Sequence, residues 1–139
     1  MNTLIVDSSI IIKWLNKKDE LNIEKATLIL EDTHSGKVEL FAPELAKYEV
    51  GNVLLTSKKL NIQEADISLG TVYSLPITFI SETEDLSKQT FELAYKLGIT
   101  YYDASFLSLA KQYDATLVTD NIKHQGKSSD VKAVSLNDY

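Results

Sequence analysis

The chain has 139 residues, of which 44% are apolar and 24% charged, the size and make-up of one soluble globular domain with a core to bury and no room for a second. It contains no cysteine, which excludes disulfides, zinc–thiolate sites and thiol nucleophiles and fits a cytoplasmic protein. The net charge is −6, the wrong sign for simple phosphate neutralisation but acceptable if several carboxylates gather around divalent cations.

The N-terminus enters Thr3-Leu4-Ile5-Val6 without a basic leader, and the apolar stretch from Leu4 to Leu15 is broken by Asp7 and Lys13. It is too short to span a bilayer, so neither a signal peptide nor a membrane helix is expected. Thr3–Val6 reads as the first strand, ending at Asp7. Ser8 and Ser9 offer capping hydroxyls to a helix running toward Trp14 and Leu15. Asn22 is placed to cap a second helix with Ile23, Ala26, Thr27 and Leu30 on one face, and Gly36 suits its end.

Val38–Ala42 is a strand. Pro43 then suits the first turn of a longer helix reaching about Lys59. A helix over Glu64–Tyr73 and a strand over Ile77–Ile80 follow. Asp85–Leu97 is helical, with Leu86, Leu93, Ala94 and Leu97 on one side and Gly98 at the stop. Asp103 opens another helix carrying Ala104, Leu107 and Ala110. Thr116–Thr119 and Val131–Ser135 complete the strands. Alternating strands and helices predict an α/β fold, three-layer α/β/α, around a central, mostly parallel sheet.

Ligands of such sheets bind beyond the carboxyl ends of the strands. Asp7 and Asp120 each directly follow a strand, and Asp103 opens a helix on the same edge. Each is also a residue suited to an N-cap. Glu49 shares a helical stripe with Leu45 and Val53, with Asn52 beside it. A carboxylate in an apolar stripe needs a partner or an exit to solvent.

Two carboxylates about 4 Å apart repel by ~4 kcal/mol at an effective dielectric of 20, and a divalent cation reverses that sign. Magnesium and manganese favour all-oxygen ligand sets. They also generate hydroxide and stabilise a phosphodiester under in-line attack. Acids without histidine or cysteine therefore point to phosphoryl chemistry. Glycoside hydrolysis also uses two carboxylates, but the single Trp14 gives little sign of a sugar cleft.

The same residues carry a family resemblance. Leu4-Ile5-Val6-Asp7-Ser8-Ser9 resembles the opening of PIN domains, and Glu49-Val50-Gly51-Asn52-Val53-Leu54 their central acidic helix. Tyr102-Asp103-Ala104-Ser105-Phe106-Leu107-Ser108-Leu109-Ala110 resembles their third motif and Leu117-Val118-Thr119-Asp120-Asn121 their fourth. In size the chain is similar to the VapC toxins of prokaryotic toxin–antitoxin pairs. The resemblance implies a ribonuclease dependent on Mg2+ or Mn2+, a homodimer, an RNA substrate and a VapB-like antitoxin. It implies Asp7, Glu49 and Asp103 as metal-holding catalytic acids, with an acidic fourth position, which ligand chemistry assigns to Asp120, supporting a second ion or the attacking water.

The fourth motif departs from the common pattern, in which the acid stands two residues after the threonine, at Asn121 here. The downstream Asp-Phe is replaced by Ile122-Lys123-His124. Ionised Asp120 is the better magnesium ligand, whereas family spacing favours Asn121, and occupancy by a second metal hangs on the difference. Ser8 and Thr119 hydroxyls could orient metal waters or simply bond backbone. Lys58-Lys59 and Lys123-His124-Lys127 are either RNA contacts or solvated surface. Tyr101 and Tyr102 suit core or dimer contacts better than base stacking. Trp14, Tyr73 and Phe91 are more large apolar surface than one small domain need bury.

Two rival classes remain. A scaffold that binds RNA or a protein partner without cutting would fit a weakened fourth motif. Other α/β phosphoryl enzymes fit less well. A haloacid-dehalogenase type wants a second acid where Ser9 stands, and a receiver domain wants an acid pair where Asp7-Ser8 stands.

Overall fold

The computed structural model describes residues 2–120, 122 and 130–139. Five strands, β1 (Asn2–Val6), β2 (Val38–Pro43), β3 (Ile77–Ile80), β4 (Thr116–Thr119) and β5 (Ala133–Ser135), form one sheet in the order β3-β2-β1-β4-β5. All four pairings are parallel. In the central strand, Leu4 lies between Leu40 of β2 and Thr116 of β4. Ile5 and Val6 are fully buried, as are Leu117 and Val118 beside them. A strand covered on both faces reads as a continuous apolar run, and these do.

The connections are α1 (Ser8–Leu15), α2 (Ile23–His34), α3 (Leu45–Thr56), α4 (Ile62–Ser74), α5 (Glu84–Leu97) and α6 (Tyr101–Gln112). Right-handed crossovers place α1–α4 on one face of the sheet and α5–α6 on the other. In keeping with this, α1 packs on α2, α3 and α4, while α6 packs on α5 and the central strands. The expected three-layer α/β/α architecture is therefore present. Among the described residues, no helix is long and apolar enough to cross a membrane.

Several local expectations are corrected. Asp7, not Ser8 or Ser9, caps α1, its side chain accepting from the Ser9 and Ile10 amides. Asn22 holds the cap position of α2 in a left-handed conformation without a side-chain bond. The buried face of α2 is Ala26 and Ile29 rather than a stripe through Thr27. Pro43 ends β2, paired with Ile80, instead of starting α3. That helix stops at Thr56, short of Lys59. An unforeseen capping box joins Asn61 and Glu64 and starts α4 earlier, at Ile62. Thr83 and Thr100 cap α5 and α6, so Asp103 lies inside the first turn of its helix and does not open it. Trp14 is not surplus surface: its indole packs against the core and donates to the Ala26 carbonyl at 2.8 Å.

One core group is poorly matched. Ser108 lies within α6, fully buried, and its hydroxyl has no hydrogen-bond partner among the described residues. Ser108→Ala removes that desolvated hydroxyl and adds helix propensity, so stability should rise by about 1 kcal/mol. Thermal melts should show a Tm increase of about 3–5 °C for a domain of this length. A clear decrease would mean that the hydroxyl has a partner.

Candidate active site

In the strand order β3-β2-β1-β4-β5, the chain leaves β1 toward one side and returns to β4 on the other. The crevice between their carboxyl ends is where such sheets place ligands. Asp7 stands at the end of β1 and Asp120 at the end of β4. Glu49 comes from α3 in one helical layer, Asp103 from α6 in the other.

Asp7 is buried, with 4% of its surface exposed. Its Oδ1 accepts from the Ser9 amide at 3.1 Å, the Ile10 amide at 3.4 Å and the Ser9 hydroxyl; its Oδ2 accepts from the Thr119 hydroxyl. These donors are neutral. Burial pushes the Asp7 carboxyl above the usual carboxylate range, the hydrogen bonds resist, and the Asp120 charge adds to the rise. The cap reading is thus realised in Asp7.

Glu49 is half-buried and accepts from the Ser8 hydroxyl at 3.2 Å on Oε1. Its carboxyl is also raised, first by burial, then by the charges of Asp7 and Asp103, against the Ser8 hydrogen bond. Those two couplings bring together three of the acids singled out in the sequence. Asp103 is half-buried, and its amide donates to the Thr100 hydroxyl at 3.0 Å.

Asp120 behaves differently. Its carboxylate lies 2.7 Å from the ammonium of Lys13, a residue only 2% exposed. Lys13 also reaches Glu20 at 3.1 Å and the Leu21 carbonyl at 2.8 Å. Lys58 in turn holds the other oxygen of Glu20 at 2.7 Å. This network was not foreseen, although Lys13 inside an isoleucine-rich helix was its signal. Asn121, Lys123, His124 and Lys127 lie outside the described residues.

Asp7, Glu49 and Asp103 offer only oxygen, which suits hard divalent ions. The charges that shift Asp7 and Glu49 are all carboxylates, and neither forms an ion pair among the described residues. Among the described residues, no three acidic or imidazole groups stand close enough together to enclose an ion as placed. The donor set fits magnesium or manganese in its chemistry alone.

Two clefts flank the acids. One of about 230 Å3 is lined by Leu45, Tyr48, Ile80, Leu86, Tyr101 and Tyr102 among others. The Tyr101 hydroxyl donates to Glu82 there, while Tyr102 is 60% exposed and so is not a core residue. The second, on the α1–α3 side, is lined by Ser8, Ser9, Glu20 and Lys58.

These shifts have a stability consequence. A carboxyl whose folded pKa lies above its unfolded one favours folding at low pH and loses that contribution as pH rises through the folded value. In ion-free protein, Asp7 and Glu49 should therefore make stability climb as pH falls from neutral toward the ordinary carboxylate values. Glu20 is shifted the other way. Burial raises it, but the Lys58 and Lys13 hydrogen bonds outweigh that and hold it below the normal range. Its contribution is lost only in more acid solution. Asp7→Asn keeps the cap acceptor and removes the buried charge, so ion-free melts at neutral pH should gain about 3–5 °C, roughly 1 kcal/mol. The pH slope should flatten in the same variant. A large loss of stability would instead make the Asp7 charge a structural necessity.

Residues 4–126 match the family model described as PIN domain. No curated protein matches the sequence. Among solved structures, a chain of the VapBC2 complex of Rickettsia felis, bound to a DNA fragment from their promoter, superposes with a TM-score of 0.73 at 18% identity, covering 96% of this chain and 98% of that one. A chain of DNA-bound VapBC from Salmonella typhimurium gives 0.71 at 12% identity, covering 98% and 99%. VapC20 of Mycobacterium tuberculosis, described as a sarcin-ricin loop cleaving toxin, gives 0.63 at 14% identity, covering 82% and 86%. The structural likeness is one of fold, and the family match spans most of the sequence: the chain belongs to the PIN domain family.

Proposed function

We propose that this protein is a divalent-metal-dependent endoribonuclease, the toxin of a VapBC-type pair. The observation that carries the reading is the placement of the acids: Asp7 at the end of the central strand, Glu49 held by the adjacent Ser8 hydroxyl at 3.2 Å, and Asp103 on a helix of the opposite layer. The structural matches to VapBC complexes and to an RNA-loop-cleaving toxin support it.

Asp7, Glu49 and Asp103 would hold a magnesium or manganese ion. Once bound, such an ion supplies a nucleophilic hydroxide at neutral pH and stabilises charge on the phosphodiester. The chain's own residues do the positioning. Asp7 cannot turn, because both its oxygens are held by the first turn of α1 and by Thr119. Ser8 orients Glu49. Tyr102 and Tyr48 stand exposed beside two of these acids in sequence, where a nucleotide displaced from a loop would meet them.

Association surfaces are also present. Phe91 and Tyr95 stack on the outside of α5 with centroids 6.4 Å apart, and both are exposed. Ile62, Ile67 and Tyr73 are exposed on α4. A homodimer and a VapB-like antitoxin would cover such surface. A non-cutting scaffold that binds RNA or a protein partner is the second reading, favoured by the engagement of Asp120 with Lys13.

The test is a cleavage assay on structured and unstructured RNA, with manganese, with magnesium and with chelator. Cutting should require the divalent ion. Asp7→Asn and Asp103→Asn should each lower the rate by about a hundredfold or more, some 3 kcal/mol of barrier, while remaining folded. Metal binding without cleavage of any RNA would favour the scaffold. Cleavage undiminished by chelator would remove the metal mechanism altogether.

A further inference from the structure

The Lys13 ammonium has three hydrogens, and three acceptors surround it: Asp120 Oδ2 at 2.7 Å, Leu21 O at 2.8 Å and Glu20 Oε1 at 3.1 Å. Nothing is left for it to donate elsewhere. Lys58 closes the set at Glu20 Oε2, so two lysines face two carboxylates and the group is electrically neutral. Burial acts against the charged form of Lys13, but the hydrogen bonds it donates to Asp120 and Glu20 outweigh it and the ammonium is held charged.

The contrast with the neighbouring acids is sharp. Asp7 accepts from two amides and two hydroxyls, and Glu49 from the Ser8 hydroxyl, all of them neutral donors. Asp120 sits one hydrogen-bonded step away: its amide donates to the Ser9 hydroxyl at 3.2 Å, and that hydroxyl donates to Asp7 Oδ1. A cation already serves the fourth acid, therefore, while the other three form no ion pair among the described residues. An ion drawing on Asp120 would have to share that carboxylate with Lys13, whose buried positive charge 2.7 Å away opposes a second cation there.

We propose that Lys13 is an internal counter-ion standing in for a second divalent metal, so that this chain takes a single ion at Asp7, Glu49 and Asp103. Asp120 is then a positioning residue. It anchors Lys13 through its carboxylate and props Ser9, and through Ser9 Asp7, by its amide. The inference rests on the metal reading above and reverses the expectation, drawn from ligand chemistry alone, that Asp120 is a metal ligand.

The test needs no RNA. Manganese binding to the full chain is measured by titration calorimetry and by the paramagnetic resonance of free manganese. Wild type should bind one ion. Asp120→Asn, an exposed and conservative change, should still bind one, with a dissociation constant altered by no more than about threefold. Glu49→Gln should weaken binding by about tenfold or more. Lys13→Met frees Asp120 and should add a second, weaker equivalent; Asp120→Asn keeps the test decisive should that variant fail to fold. Two ions in wild type, or loss of about tenfold or more in affinity on Asp120→Asn, would overturn the counter-ion role while leaving the metal site standing. No binding in wild type would overturn both.

Discussion

The structure is organised around one expensive act, the burial of the Asp7 carboxylate at the end of the central strand. A carboxylate taken out of water must be satisfied by hydrogen bonds or it will take up a proton. The surrounding chain meets that demand with the first-turn amides of α1, a serine hydroxyl and the Thr119 hydroxyl of the neighbouring strand. These contacts join β1, α1 and β4, and so fix the β1–β4 junction where the chain reverses its direction of travel across the sheet. The carboxyl stays raised all the same. Folding alone does not repay the burial, which is the expected signature of a residue kept for chemistry.

Everything else at the edge of the sheet is arranged around that deficit. Glu49 and Asp103 add negative charge from the two helical layers instead of relieving it. A few ångströms along the same edge, Glu20 and Asp120 are neutralised by Lys13 and Lys58. The fold thus separates its acids into a satisfied set and an unsatisfied one. That partition, rather than the number of carboxylates, says where an external cation would be most strongly attracted.

Much of this was legible in the residues. The strands are short apolar runs ending at Asp7 and Thr119, and period and punctuation located every helix. Glu49 stood out as a carboxylate in an apolar stripe, and it is half-buried as that position implies. Errors came where several residues suited one local role, or one residue suited two. Asp7, Ser8 and Ser9 can all cap a helix, and only the backbone path chose Asp7. Pro43 suits a strand end as well as a helix start, and its pairing with Ile80 decided the matter. The partner of Asp120 was invisible for a different reason. A pair between α1 and the end of β4 joins residues far apart in sequence, and no local period records it. Lys13 between isoleucine and tryptophan was the hint, since a lysine on a buried helix face must have acceptors.

The lysines also bear on how so acidic a chain could meet RNA. Besides the two in the buried network, Lys25 is tied to the Tyr139 carbonyl at 2.9 Å, and Lys47 lies over the Tyr73 and Phe79 rings beside Glu44. Lys88 and Lys96 pair with glutamates one turn earlier on α5. Most described cationic groups are thus already matched, and the net charge of −6 offers no long-range attraction to a polyanion. For a nuclease reading, recognition must then be short-ranged: an ion held by Asp7, Glu49 and Asp103 would offset their charge, and exposed tyrosines or a partner subunit would meet the bases. An enzyme built this way would select RNA by the shape it presents at one edge of the sheet, since charge would repel every strand about equally until the ion is reached.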